Sequence, residues 1–290
     1  MPEPRSGPPW ELAFSTLGCP EAGVEEVARL ASASGSTGVE LRCAPPEGLV
    51  TPRSSAAERS RLAARLREAG VRDLWVASYA RVADEAVSDR ECLRTLHETV
   101  QLAGDLGALG VRVFPGAGAA GRRADALAAR RLRSVADAAA DAGTGLLLET
   151  HDSHPRGADV ARVLEQVDHP AVGAVWDVLH TWLGGETPHA SATALAPWLR
   201  LVQVKDVASR EDLRPLLLGT GALPLHALPA ALGAVGYRGP LSLEWEKRWF
   251  PEAQPLEHAL THAAEWMRTA AAIRTPVPPA LSPRPDRRNR

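Results

Sequence analysis

The sequence predicts a single (β/α)8 TIM barrel of the α/β class, and three observations predict it. First, short apolar runs alternate with amphipathic helical stretches along the chain, and alternating β and α elements imply a parallel sheet. Second, four successive runs end in polar side chains that can move protons or bind metal: Glu149, Asp177, Gln203 and Glu244. They are spaced by roughly 25–40 residues, the length of a strand, a loop and a helix together. Third, the 290-residue chain accommodates one such barrel, which typically takes about 250 residues, plus tails. The competing architecture, an open doubly wound sheet, shows a Gly-rich phosphate loop after its first strand. Ser15-Thr-Leu-Gly18 is a poor one.

In order along the chain, residues 1–10 are Pro-rich and read as a flexible arm, 11–273 as the barrel, and the Pro/Arg-rich 274–290 as a disordered tail. Leu12–Leu17 reads as the first strand. Pro20 opens a helix that keeps Val24, Val27, Ala28 and Ala31 at helical spacing. Gly38–Arg42 is the second strand, ending in Glu40 and Arg42, and a helix follows over 55–69. Leu74–Ser78 is the third strand. The next helix, 89–109, presents Leu93, Leu96, Val100 and Ala103 on one face and stops at Gly110. Val111–Phe114 is the fourth strand and 122–142 an Arg/Ala-rich helix with a solvated outer face. Strands ending at Glu149, Asp177, Gln203 and Glu244 complete the eight, separated by helices near 158–167, 190–197 and 224–235. A last helix spans 255–273.

Composition bounds the function. A formal net charge of −2 gives no electrostatic case for nucleic acid or an anionic membrane. No run approaches the ~20 apolar residues of a membrane span, and the first ten residues have no apolar core of a signal peptide. Cys19, Cys43 and Cys92 are few and lack metal-type spacing. A cytoplasmic protein with reduced thiols is the expectation.

Glu149, Asp177, Gln203 and Glu244, brought to one barrel mouth, are three carboxylates and an amide. Without a cation the carboxylates would raise one another's pKa. A single divalent metal removes the conflict, and an all-oxygen donor set suits Mn²⁺ or Mg²⁺ ahead of Zn²⁺ or Co²⁺. Such a cation would act as a Lewis acid on a carbonyl or hydroxyl and acidify the adjacent C–H. A carboxylate on each side of that carbon could then remove and return the proton.

The segments that carry this pattern are Glu-Thr-His (149–151), Trp-Asp-Val-Leu-His (176–180), Gln-Val-Lys-Asp (203–206), Leu-Gly-Thr-Gly (218–221) and Gly-Tyr-Arg-Gly-Pro-Leu-Ser-Leu-Glu-Trp-Glu (236–246). Together they resemble the xylose isomerase-like barrels, a superfamily of sugar and sugar-phosphate isomerases and epimerases, inosose and dehydroshikimate dehydratases, and endonuclease IV-type repair enzymes. The resemblance implies Glu149, Asp177, Gln203 and Glu244 as metal ligands, His180 as a substrate contact, and Glu149 and Glu244 as the paired acid and base of ketose epimerases. Gln203 stands where most epimerases carry His and is more typical of the dehydratases, and His151 also resembles them. The third and fourth strands end without His, which speaks against a repair enzyme.

Around that core, His151 is either a proton-transfer group or a partner orienting a ligand. Lys205 and Asp206 read as an ion pair, with substrate contact by Lys205 as the alternative. Arg210 and Arg214 could bind a carboxylate or phosphate bidentately. Glu40 and Arg42 face the mouth, as a mutual salt bridge or as substrate contacts. Trp182, Trp245 and Trp249 border the site as a wall over a sugar ring or as plain packing. The leading expectation is a metal-dependent isomerase or epimerase of a small sugar, sugar phosphate or related polyhydroxy carbonyl compound, with Glu149 and Glu244 exchanging a proton across an enediolate. The alternatives are a metal-dependent dehydratase that uses His151 or His180, and a non-catalytic sugar-binding barrel. Dimers or tetramers are common among such barrels, so a homo-oligomer is compatible with the chain.

Overall fold

The computed structural model describes residues 10–44 and 47–272; the assigned arm before Trp10, the last residue of the assigned barrel (273) and the assigned tail 274–290 lie outside it. Eight parallel strands close into a barrel: β1 (Leu12–Ser15), β2 (Gly38–Ala44), β3 (Asp73–Arg81), β4 (Gly110–Phe114), β5 (Leu146–Glu149), β6 (Val172–Asp177), β7 (Leu199–Val204) and β8 (Leu241–Leu243). Each pairs with its neighbours in chain order, and β1 pairs with both β2 and β8, which closes the cylinder. Around it run α1 (Val24–Ser34), α2 (Ala56–Glu68), α3 (Asp89–Leu106), α4 (Arg122–Asp141), α5 (Gly157–Val167), α6 (Val178–Leu183), α7 (Pro188–Leu195), α8 (Leu228–Ala234) and α9 (Leu256–Ala272).

Local chemistry sets the helix ends. Ser55 and Glu58 form a capping box at α2, and the Ser88 hydroxyl accepts the Glu91 N–H at the start of α3. The α3 helix ends at Gly107, whose φ of 67° only glycine adopts without strain, and not at Gly110. Gly110 instead opens β4, where a Cβ would fall 2.6 Å from Leu147 Cδ1. Trp10, assigned to the arm, is buried and donates its indole N–H to the Tyr237 carbonyl.

Two apolar cores result. The larger fills the space between strands and helices. A small one, Ala13, Trp75, Leu147, Val175 and Leu201, plugs the barrel axis. Side chains of the same parity further along these strands therefore also face the axis, and there the interior turns polar: Glu40, Arg112, Glu149, Asp177, Gln203, Ser242 and Glu244 are all buried. Short elements beyond the predicted ones trim the mouth. They are the six-residue α6 after β6, an antiparallel ribbon of Asp206–Val207 with Pro215–Leu216, and a second ribbon of Cys43–Ala44 with Glu47–Gly48. Among the described residues no helix is long and apolar enough to cross a membrane.

Candidate active site

The four strand-end residues all lie at the C-terminal mouth, as their strand positions require: Asp177, Gln203 and Glu244 are linked directly or through Lys205, while Glu149 groups with His151 and His180. Asp177 lies beside Gln203 in the β6–β7 register, and Gln203 beside Ser242 in the β7–β8 register. Thr150 braces the end of β6: its hydroxyl accepts the Asp177 N–H at 2.9 Å and donates to the Asp177 carbonyl at 3.2 Å. Asp177 itself caps α6, its Oδ1 accepting the N–H groups of Leu179 and His180. The cap fixes the carboxylate so that Oδ2 points across the mouth.

What Oδ2 meets there is Lys205. The ammonium is buried, 2.8 Å from Asp177 Oδ2, in contact with Glu244 and 2.9 Å from Glu246. Its partners are thus Asp177, Glu244 and Glu246, and the expected pairing with Asp206 does not form. Asp206 instead accepts the backbone N–H groups of Val207, Gly219, Gly221 and Leu223 and shapes the loop after β7. Burial alone would lower the Lys205 pKa, but the surrounding carboxylates hold it well above the ordinary value. Burial would raise Asp177, and Lys205 outweighs it, leaving Asp177 at about 2.

On the other side of the mouth Glu149 receives the guanidinium of Arg112, Nε to Oε2 at 3.0 Å. Both are nearly solvent-free. Desolvation still dominates over Arg112 and His151 and lifts Glu149 to about 8. At the bottom of the cluster Glu40 is fully buried. It accepts hydrogen bonds from the Gln203 amide nitrogen at 2.9 Å and from the Ser242 hydroxyl, and burial with the nearby Glu244 raises it to about 7. The expected Glu40–Arg42 salt bridge is absent: Arg42 points up the mouth and donates to the Tyr79 hydroxyl at 2.8 Å. Glu40 and Arg42, two positions apart, share a face of β2 but stand in successive layers, Glu40 being the fully buried one.

The rim is aromatic and imidazole-rich. His151 stacks between Phe114 (centroids 4.4 Å apart) and His180 (3.9 Å). Asp152, in the left-handed region at φ 44°, holds His151 Nδ1 at 2.8 Å. Burial would lower His151; Asp152 and Glu149 outweigh it and raise its pKa. His180 Nε2 lies 3.9 Å from Asp177 Oδ2, but burial outweighs that carboxylate and depresses His180 to about 4. Arg210 is exposed, stacked 4.4 Å over the Trp182 ring and bonded to the Leu183 carbonyl. It packs against the outside of the α6 turn. Arg214 pairs with Asp212 two residues away. Trp245 is buried, with its indole N–H on the Gln254 carbonyl, while Trp249 is exposed near Arg42.

Sequence reading missed Arg112 and Ser242, and Glu246 had no assigned role. The signal was present. In Val111-Arg-Val113 and Leu241-Ser-Leu243 a polar residue sits between two apolar ones in a strand whose outer face must be apolar to meet the helices. The polar residue must therefore face the axis. Among the described residues, Glu149, His151 and His180 form a group with ligand atoms within 4.8 Å of one another, a spacing that can hold a metal ion.

A sequence model of the xylose isomerase-like TIM barrel matches residues 28–270. The chain belongs to this family. No curated protein matches it by sequence. Solved structures share the fold at low identity. The structure of L-ribulose 3-epimerase is 18% identical with a TM-score of 0.75, covering 91% of this chain and 95% of that one. The probable 3-DHS dehydratase AsbF of Bacillus anthracis is 16% identical with a TM-score of 0.72, covering 88% and 97%. The 3-keto-D-glucoside 4-epimerase YcjR of E. coli is 19% identical with a TM-score of 0.70, covering 90% and 99%. Sugar epimerases and a probable dehydratase thus share this fold, and a shared fold does not by itself fix a reaction.

Proposed function

We propose that this xylose isomerase-like barrel is a divalent-cation-assisted isomerase or epimerase of a small sugar, sugar phosphate or related polyhydroxy carbonyl compound. The observation that carries the reading is a convergence. Asp177, at the end of β6, and Glu244, just past β8, reach the same Lys205 ammonium. Gln203 lies beside them, its carbonyl oxygen buried and without a partner.

The residues fit a cation. Five buried or half-buried carboxyls, Glu40, Glu149, Asp177, Glu244 and Glu246, face two permanent cations, Arg112 and Lys205. Burial raises the pKa of Glu40, Glu149 and Glu246, and the neighbouring Glu244 adds to each shift. Glu149, Asp177, Gln203 and Glu244 would hold Mn²⁺ or Mg²⁺, as hard oxygen donors do. When bound, the cation supplies Lewis acidity to a substrate oxygen and so acidifies the neighbouring C–H.

The chain's own groups then divide the proton work. Glu244, ion-paired to Lys205, accepts a proton from the carbon beside the carbonyl. Glu149, on the other side of the mouth, is the group that returns one. Arg112 steadies Glu149 as it changes charge, and Thr150 and the α6 cap keep Asp177 fixed. His151, Phe114 and Tyr79 roof the mouth against water.

A second reading, a dehydratase, is favoured by the His151–His180 stack beside Glu149. A lyase needs an acid for the departing hydroxyl, and Asp152 and Glu149 outweigh burial and raise the pKa of His151. One experiment separates the readings. Metal-loaded protein is incubated in D₂O with a panel of ketoses, cyclitol ketones and their phosphates, and the products are read by mass and ultraviolet absorbance. An isomerase or epimerase returns sugar made heavier by carbon-bound deuterium, with no loss of water; a dehydratase returns a dehydrated, conjugated product. Chelator-treated protein that keeps full turnover would sink the cation in both.

A further inference from the structure

A glutamine is an ambiguous metal ligand, because its amide can present either an acceptor or a donor to the same point. In this barrel the ambiguity is removed from below. Gln203 Nε2 lies 2.9 Å from Glu40 Oε2 and 3.3 Å from Glu244 Oε1, so both amide hydrogens have carboxylate acceptors. The other oxygen of Glu40 is taken by the Ser242 hydroxyl. Glu40, Gln203 and Ser242 are each wholly buried. With Glu40 ionised, turning the amide over would press its carbonyl oxygen against two carboxylate oxygens in a fully buried site, and would leave both acceptors unmet. The remaining atom, Gln203 Oε1, is buried and unpartnered.

From this arrangement we infer that Glu40 is a positioning residue: with Ser242 as its anchor, it sets the Gln203 amide so that the carbonyl oxygen, and not the NH₂, faces the cation site. The inference rests on the cation reading above and explains how an amide serves there. A fully buried carboxylate inside a barrel is costly, and its position next to the one neutral donor accounts for its presence. Partners that orient ligating groups typically change metal affinity 10- to 100-fold when removed.

The test has two readouts, neither of them turnover. The chain contains four glutamines, Gln101, Gln166, Gln203 and Gln254, so selective side-chain ¹⁵N labelling gives a short set of NH₂ pairs, and Gln203→Met assigns one of them. In metal-free wild-type protein the Gln203 pair is expected to be slow to exchange with D₂O; in Glu40→Gln, whose own amide can satisfy either orientation, it should shift and lose protection. Mn²⁺ titration followed by electron paramagnetic resonance should show at least a 10-fold weaker Kd in Glu40→Gln, with a smaller loss in Ser242→Ala. Unchanged Kd together with an unchanged Gln203 pair in Glu40→Gln overturns the inference. Wild-type protein that fails to bind Mn²⁺, while Glu40→Gln still releases the Gln203 pair, overturns the cation reading and leaves the orienting role of Glu40 standing.

Discussion

The Lys205 ammonium stands 2.8 Å from Asp177 Oδ2, and the same nitrogen touches Glu244 and Glu246. A permanent cation is therefore built into the carboxylate ring, between the strand ends that carry the candidate ligands. At this depth Coulomb attraction is little screened, so Lys205 holds Asp177 and Glu244 together before any ligand arrives.

Lys205→Met should remove that tie and leave Asp177, Glu244 and Glu246 facing one another. Breaking a buried ion pair from one side typically costs about 3–5 kcal/mol. Chemical denaturation with chelator present should show a loss of that order, and saturating Mn²⁺ should restore part of it by offsetting the same charges. Equal loss with and without Mn²⁺ would mean that the cation does not enter the ring.

The barrel and its strand ends were legible because apolar runs alternate with helical spacing and because Glu149, Asp177, Gln203 and Glu244 recur at one register. The partners were not. Strand parity says that Arg112 and Glu40 face the axis, but the stagger of the closed barrel decides which side chains from distant strands share a layer. Hence Glu40 meets Gln203 and Ser242, from β7 and β8, and not Arg42 beside it. Likewise Asp206, adjacent to Lys205, points the other way and organises backbone N–H groups that carry no sequence signature of their own.

Without metal, stability should fall as pH rises from about 6.5 to 8. Glu40 (about 7) and Glu149 (about 8) are raised from 4.5 by burial. In that window the folded protein holds protons that the unfolded chain has released, so rising pH favours unfolding, by about 1.4 kcal/mol per pH unit for each group still protonated. The raised His151 acts in the same direction. His180, lowered to about 4, acts oppositely, but only below its ordinary value of 6.5. Thermal melts in chelator should drop by several degrees across the window, and the slope should flatten with Mn²⁺. A flat profile without metal would contradict the buried, protonated state of Glu149.

Asp206→Ala should loosen the loop after β7 without touching the carboxylate ring. Its two oxygens accept four backbone N–H groups between Val207 and Leu223. Each buried donor left without an acceptor costs about 1–3 kcal/mol, less where water enters. Hydrogen exchange should accelerate at Gly219, Gly221 and Leu223 while the β7 amides stay protected. Gly221→Ala should act in the same direction, since its Cβ would fall 2.3 Å from the Val207 carbonyl oxygen.

The proton-transfer assignments make the sharpest separation. If Glu149 and Glu244 exchange the substrate proton, Glu149→Gln and Glu244→Gln should each lower turnover by about 10²–10⁴-fold, the usual range for a positioned acid or base. Glu149→Gln keeps the shape and an acceptor for Arg112, so the fold should persist, and the loss should appear in kcat more than in KM. His151→Phe retains the stack between Phe114 and His180 while removing the proton. For an isomerase or epimerase it should cost about 10-fold or less, the effect of an altered roof alone. For a dehydratase it should cost as much as Glu149→Gln, because the leaving hydroxyl then lacks its acid. The ratio of the His151→Phe loss to the Glu149→Gln loss, measured on the same substrate in one buffer, therefore assigns the reaction. A small effect of both substitutions would place the chemistry on other residues.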